Sequence, residues 1–320
     1  WVDNSDPIWQ AAFKKHKGDE ALFTDASDKR YRDWGLFKYW FRGVEKYAPW
    51  VNRIHLITCG HYPDWLNLNH PKLNFVKHED YMPKEYLPTF SSTTIELNLH
   101  RIDLLAEQFV YFNDDIFLIN KTTPKIFFDK GLPRDSAVMT AYSGLMFSFL
   151  NLNSTKITNL HFDKRHVLKS HFFNWFNYKY GFDILKNFFL LPWQHFTGFT
   201  NYHLHHNYLK NTFKEVWEKN YEELEQTSLR KFRHNLDLNQ FVFRNWQLAS
   251  NTFKPINPRK LGFSLSLGIG DTNKQLEKFS KSKKPIICLN DHDPENLDEV
   301  IYKLTEIFEK KFPEKSSFEL

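Results

Sequence analysis

One short stretch constrains this chain more than any other: FVYFNDD at residues 109–115, a run of large apolar and aromatic side chains that stops at two adjacent carboxylates. It is too short for a core helix and has the composition of a buried strand. In open α/β sheets, ligands bind beyond the carboxyl ends of the strands, which is where Asp114 and Asp115 would then lie. Two carboxylates so close repel each other unless positive charge lies beside them. A hard divalent cation with phosphate oxygens is the usual partner. A plain polar turn at Asn113-Asp114-Asp115 is the alternative.

The flanking sequence alternates between strand-like and helix-like segments. Residues 53–59 and 72–77 have strand character, separated by a polar stretch with two prolines. Residues 33–47 place Leu36, Phe37, Trp40, Phe41 and Val44 on one helical face ahead of Pro49, with Asp33 as the expected cap. Ser91 or Ser92 can cap a second helix through Ile95, Leu99, Ile102 and Leu105. Residues 136–141 add a strand candidate. From about 151 to 250 aromatic, His, Asn and Lys residues crowd into helix-length stretches such as 172–180 and 208–221. Strand character returns at 259–267 and 284–289, followed by a helix over 294–312 and a tail, 312–319, expected to be a partly ordered surface segment. This alternation predicts an α/β fold with a mainly parallel sheet and a helical insertion. The expected division is a first part of the core over 1–150, the insertion over 151–255, and a return to the core over 256–320.

Composition excludes several classes. At 320 residues and 41% hydrophobic the chain can bury a substantial core, in which aromatics, at 18%, are prominent. The net charge of +5 suits anionic substrates or an anionic membrane surface, but the Lys and Arg residues are too dispersed for a nucleic-acid partner. No apolar run reaches the ~20 residues of a membrane span. Cys59 and Cys288, distant and unpatterned, are expected to be buried thiols in a reducing compartment. The chain opens at Trp1 without a Met, as expected of a trimmed or processed piece.

Five clusters can carry chemistry. WVDNSDP at 1–7 is rich in acceptors, with Asp6-Pro7 fitting a helix cap followed by proline at the first helical position. RYRD at 30–33 puts Arg30 and Arg32 near a helix start, where guanidinium forks and backbone donors together suit phosphate. In ELNLHR at 96–101, Glu96 and His100 share a helical face, for which an exposed ion-pair face is the default, and Arg101 points elsewhere. HLHH at 203–206 precedes Thr227, Arg233 and Asp237. Without supporting Cys or an HExxH pattern, one His acting as a general base is favoured over zinc. Asn290-Asp291 ends another apolar run and could meet Asp114 and Asp115 at one sheet edge. There is no GxGxxG, GxxxxGK[ST] or GxSxG sequence.

Taken in order, these blocks resemble the Stealth family of sugar-1-phosphate transferases. That family includes bacterial capsular polysaccharide phosphotransferases and the catalytic subunit of the lysosomal-enzyme N-acetylglucosamine-1-phosphotransferase. The matching pieces are WVDNSDPIW from Trp1, RYRDWGLFKYWFRGVEKYAPWV from Arg30, LPTFSSTTIELNLHRI from Leu87, FVYFNDDIFL from Phe109, the segment from His203 to Arg233, and ICLND from Ile287. The resemblance implies a Rossmann-like, glycosyltransferase A-type fold. It implies transfer of a sugar 1-phosphate from a nucleotide-sugar donor to a glycan acceptor hydroxyl, with Mg²⁺ or Mn²⁺ as cofactor, in the cytoplasm with at most a peripheral contact at the inner face of the membrane. By position, His203 matches the family's catalytic His and Arg233 its phosphate-binding Arg. Asp114 and Asp115 match its acidic pair, Asp291 the acid of its final block, and Glu96 and Arg101 the Glu and Arg upstream of the pair. Trp1, Asp3, Arg32 and Asp33 fall in the donor-binding blocks. In the family a short strand carrying an Asp precedes the Trp-Val pair that opens this chain, and Arg165 is the candidate for a further Arg before the catalytic His. The competing functions are an ordinary metal-dependent glycosyltransferase releasing a nucleoside diphosphate, and a non-catalytic glycan-binding protein.

Overall fold

The computed structural model describes residues 1–17, 31–144 and 148–320; Arg30, one of the two arginines expected near the first long helix, lies outside them. Among the described residues the strands are β1 (Ile54–Thr58), β2 (Leu73–Lys77), β3 (Gln108–Tyr111), β4 (Ile116–Leu118), β5 (Phe128–Asp129), β6 (Leu132–Asp135), β7 (His206–Leu209), β8 (Lys254–Pro255), β9 (Gly262–Leu267) and β10 (Ile286–Asp291). They form four small sheets, ordered β1-β2, β4-β10-β9, β3-β7 and β5-β6-β8. β1–β2, β9–β10 and β6–β8 are parallel, whereas β4–β10, β3–β7 and β5–β6 are antiparallel. The fold is thus mixed α/β, but the single mainly parallel sheet expected from the sequence is divided and partly antiparallel.

That division begins inside the diagnostic run. The stretch expected to be one strand is two, because Asn113-Asp114-Asp115 turns the chain, with the Ile116 amide donating to the Asn113 carbonyl at 3.1 Å. β3 leaves the turn toward β7, and β4 toward β10. The polar-turn alternative therefore holds for the backbone and, as shown below, does not take the acids out of the cleft.

The helix Phe37–Tyr47 buries Phe37, Tyr39, Phe41 and Val44 and lies against β4. Gly43 permits the approach: a Cβ there would run into the Leu118 carbonyl oxygen. The expected Asp33 cap is not formed. Asp33 instead accepts from the Gly35 amide at 3.1 Å, and Gly35, at φ +69°, turns the chain before the helix begins. Asp6 does cap its helix, Pro7–His16, accepting from the Trp9 amide at 2.6 Å.

The helix expected to run on to Leu105 stops at Leu97, followed by a single tight turn at Leu99–Arg101. Asn98 ends it by donating from its side chain to the Thr94 carbonyl (2.9 Å) and to Ser228 Oγ (3.1 Å), which competes with continued helix. Glu96 and His100 therefore share no exposed face: Glu96 is buried and His100 is half-buried, packed against Phe213 and Trp217. Residues 136–141 form no strand, only an isolated bridge between Met139 and Phe199. Between Ser148 and Ala249 helices dominate, interrupted by β7.

Tyr39, Leu265, Leu267, Ile287, Leu289, Leu304 and Phe308 close one core between the helices Phe37–Tyr47, Thr272–Lys281 and Leu297–Lys311 and the β9–β10 pair. Each such side chain contributes roughly 1.5–3 kcal/mol of burial.

The C-terminal tail, expected to be a partly ordered surface segment, is anchored at its end. Phe318 is buried, the Asn67 amide donates to the Phe318 carbonyl at 2.8 Å, and Glu319 accepts from Arg42 Nε (2.7 Å) and Nη2 (2.8 Å). Both partners are nearly sealed from water, so the pair can be neither screened nor solvated. Arg42→Met is expected to leave Glu319 uncompensated and to lower unfolding free energy by about 3–5 kcal/mol in urea titration. Arg42→Met with Glu319→Leu should recover most of the loss; a harmless single variant would refute a structural role for the tail.

Candidate active site

A cleft of about 1200 Å³ opens where β3, β4 and β10 meet the first long helix. Its walls include Trp1, Arg32, Asp33, Glu96, Asp114, Asp115, His203, Arg233 and Asp291. Asp3 and Arg101 are not on its walls. Asp3 folds back on its own turn, accepting from the Ser5 amide at 2.8 Å, and Arg101 lies over the Trp217 ring at 4.9 Å. Arg165 is exposed on the helix Lys164–Ser170 and also lines none of the cleft.

The acid turn is fixed from beneath by β10. The Leu289 amide donates to the Asp115 carbonyl at 2.8 Å, and the Cys288 thiol donates to Asp115 Oδ2 at 3.3 Å. His203 Nε2 stands 3.9 Å from the same Oδ2, on the more open side. Asp115 Oδ1 is buried without a hydrogen-bond partner among the described residues. Burial and then the neighbouring charge of Asp114 push the Asp115 carboxyl up to about 7. Burial, with the adjacent Asp115 charge second, holds the Cys288 thiol well above its ordinary value. Cys288 is therefore a protonated donor, whereas Cys59, expected to be buried, is exposed, with Sγ 3.1 Å from His61 Nδ1.

Two further groups of residues border the cleft. Asp291, at the end of β10, accepts from Trp34 Nε1 (3.3 Å) and from the Asp293 amide (2.8 Å), with Arg32 Nη1 at 3.5 Å. Glu96 accepts from the Tyr111 hydroxyl at 3.2 Å, and Arg233 donates to Ser92 Oγ. Burial raises the Glu96 carboxyl, and the Arg233 charge opposes that rise. The loop presenting Arg233 is held by Arg230 Nη1 on Asp237 Oδ1 at 2.7 Å, which gives the latter a scaffolding place. Trp1 stacks on Phe37 with ring centres 5.8 Å apart, and its amino group donates to the Ile57 carbonyl at 3.0 Å. Burial raises Asp33, and the like charges of Asp114 and Asp3 add to it.

Of the three neighbouring histidines only His203 reaches the cleft. His205 packs between Phe112 and Phe127, where burial lowers it to about 3, and His206 is buried in β7. Sequence reasoning did not assign site positions to Tyr111, Ser92, Trp34 or Cys288. Cys288 had a usable signal, standing three residues before Asp291 in ICLND, and Tyr111 one in its alternation with Asn113.

Asp115, His203 and Cys288 each offer a ligand atom, all within 4.8 Å of one another. An orphaned buried carboxylate oxygen beside a second acid suits a cation. Because the thiol stays protonated, the donor set favours a hard, oxygen-seeking ion over a thiolate-bound one.

Residues 30–135 match the family model described as Stealth protein CR2, conserved region 2. The chain is 44% identical to the capsular polysaccharide phosphotransferase WcwK of Streptococcus pneumoniae, over all of this chain and 96% of that protein. This chain belongs to the Stealth family. Other members similar over its whole length are the exopolysaccharide phosphotransferase cps2G of Lactiplantibacillus plantarum, 37% identical across 94% of its length, and the receptor polysaccharide phosphotransferase WefC of Streptococcus oralis, 38% identical across 97%. In this Stealth protein the matched region carries the acid turn, Glu96 and Arg32, and the cleft adds His203, Arg233 and Asp291 from beyond it.

The raised Asp115 carboxyl has a signed consequence. Its folded value, about 7, lies above the ordinary value of ~4, so the native state holds the proton more tightly than the unfolded chain. Without divalent metal, stability should fall as pH rises through that window. The full shift corresponds to roughly 4 kcal/mol. With 30% of the side chain open to water, on the order of 2 kcal/mol is expected. Asp115→Asn in EDTA should lose that fall and gain on wild type at pH ~8 relative to pH ~4 by the same amount. Parallel stability–pH curves for the two proteins would refute the assignment.

Proposed function

We propose that this chain is a polysaccharide phosphotransferase that moves a sugar 1-phosphate from a nucleotide-diphosphate sugar to a hydroxyl of a cell-surface glycan. The products are a phosphodiester-linked polymer and a nucleoside monophosphate. The observation that carries this is a single cleft holding the acid turn, a histidine at its open side and two arginines, in a chain similar along its whole length to named polysaccharide phosphotransferases.

His203, half exposed beside Asp115, is the group we assign to take the proton from the acceptor hydroxyl at Nε2. The freed oxygen forms a bond to the β-phosphorus as the bond to the bridging pyrophosphate oxygen breaks, and the departing electron pair stays on the nucleoside monophosphate. The anomeric carbon takes no part, so its configuration is kept. Arg233, held by Ser92 and facing Glu96, and Arg32, paired with Asp291, supply fixed positive charge where the phosphoryl oxygens gain negative charge. Trp1, Asp33 and Glu96 complete the donor side. Asp115, with Asp114 and Asp291, would hold Mg²⁺ or Mn²⁺, which when bound offsets the charge of the diphosphate.

We read the core as Rossmann-like and of the glycosyltransferase A type. β9, the helix Thr272–Lys281 and parallel β10 form the strand–helix–strand unit of such folds and end at Asp291.

Incubation with a panel of nucleotide sugars, a glycan acceptor and Mg²⁺ should release nucleoside monophosphate. Release of diphosphate instead would identify an ordinary glycosyltransferase, and glycan binding without nucleotide consumption a binding protein. His203→Ala should lower kcat by roughly 10²–10⁴-fold; near-normal turnover would remove the base assignment. Independently of activity, Mn²⁺ should raise the melting temperature of the wild type at pH ~8 and fail to raise that of Asp115→Asn. Equal shifts in both proteins would remove Asp115 as a ligand.

A further inference from the structure

One segment of this chain does the opposite of what a core does. Between residues 172 and 193, nine large hydrophobic side chains are exposed, out of twenty such residues among all those described. Phe182 is 93% exposed, Phe173 and Tyr178 83% each, Phe189 73% and Trp193 53%. They are not scattered. Leu185, Phe188 and Phe189 share one face of the short helix Ile184–Phe189, and Phe172 and Phe188 both pack on Phe176, at ring distances of 4.6 and 4.7 Å. Contiguous exposed apolar surface of this kind marks an interaction site in a soluble domain.

The patch is held outward by buried polar anchors and does not result from loose packing. The fully buried Asn187 donates to the Ala137 and Trp175 carbonyls (2.7 and 2.6 Å) and accepts from the Met139 amide (2.6 Å). Lys164, equally buried, spends its ammonium group on the Leu190 and Trp193 carbonyls, at 2.5 and 2.7 Å. These bonds fix the two ends of the segment while its rings face water. Asp183 connects it to the cleft, accepting from the hydroxyl of Tyr202, the neighbour of His203, at 3.0 Å.

The charge around the rings selects the partner. Leaving out the buried Lys164, residues 163 to 195 present Arg165, Lys169, Lys179 and Lys186 against Asp163 and Asp183. Arg165, Lys169 and Lys179 are exposed and in no ion pair among the described residues. Exposed Phe, Leu and Trp rimmed by Lys and Arg is the composition of elements that lie in the interface of an anionic bilayer. A second copy of the chain would bring the same positive rim against itself.

We propose that residues 172–193 form a docking surface for an anionic phospholipid membrane, inserting Phe173, Phe182, Phe189 and Trp193 among the acyl chains while Lys169 and Lys179 meet the headgroups. Among the described residues no helix is long and apolar enough to cross a membrane. The docking surface stands independently of the catalytic assignment.

The test is flotation of the full chain with vesicles of equal parts phosphatidylglycerol and phosphatidylcholine, and with phosphatidylcholine alone. Binding to the anionic vesicles, weakened by salt, is expected. Phe182→Ser with Phe189→Ser should reduce it about tenfold or more. Lys169→Glu with Lys179→Glu should remove the preference for anionic lipid, and Tyr302→Ser, exposed on the helix Leu297–Lys311 outside the patch, should change nothing. The substituted positions are exposed, so unchanged circular dichroism is expected in all variants. Absence of binding to anionic vesicles, binding indifferent to the Phe182 and Phe189 substitutions, or a wild-type dimer that those substitutions dissociate would each overturn the proposal.

Discussion

The pairing of β4 with β10 is the contact on which the rest of the molecule depends. It joins Ile116 to Cys288 and Leu118 to Ile286, with 173 residues separating Asp115 from the thiol that bonds it. Closing so long a loop carries an entropic cost that grows only slowly with length, and the burial of Phe117, Ile287 and Leu289 offsets it. Once the strands pair, the acid turn has no freedom left. The backbone carbonyl of Asp115 is bonded to Leu289 and one carboxylate oxygen to Cys288, and the other is sealed without a hydrogen-bond partner among the described residues. Packing elsewhere thereby keeps a carboxyl desolvated beside a second acid.

Around that turn, the cleft assigns different electrostatic environments to acids that look alike in sequence. Asp291 already has Arg32 and an indole N–H beside it, Glu96 has Tyr111 and the charge of Arg233, and Asp115 has, among the described residues, a neutral thiol and a histidine at 3.9 Å. Of these three carboxyls, Asp115 is the one that burial pushes up to about 7. A comparable arrangement appears between residues 164 and 193, where buried Lys164 and Asn187 use their polar atoms on backbone carbonyls and leave aromatic rings to face outward.

Local patterns in the sequence were informative wherever one face or one residue type dominates. The β1, β2, β9 and β10 segments follow from short apolar runs, the helices Phe37–Tyr47 and Leu297–Lys311 from their amphipathic spacing, and the Asp6 cap from Asp6-Pro7. Family likeness then supplied the order of the blocks. Failures occurred where a side chain's tertiary partner overrides its local preference. Asn98 reaches Ser228 and stops a helix that periodicity would have continued. Glu319 meets Arg42 and anchors a tail whose composition suggests solvent, and Cys59, at the end of an apolar run, is exposed beside His61.

Read alone, the chain supplies the inventory: apolar runs followed by acids, a histidine and an arginine thirty residues apart at 203 and 233, and the family to which they belong. Local propensity and residue chemistry are properties of the chain and can be read from it. Only the tertiary structure decided which of these residues share a cleft, that Asp3 and Arg101 lie outside its walls, that a predicted single strand divides between two sheets at Asp114-Asp115, and that Cys288 is the donor beneath Asp115. Those outcomes depend on contacts between segments up to 173 residues apart, and burial and charge at such contacts are set by packing, which no local window of sequence contains.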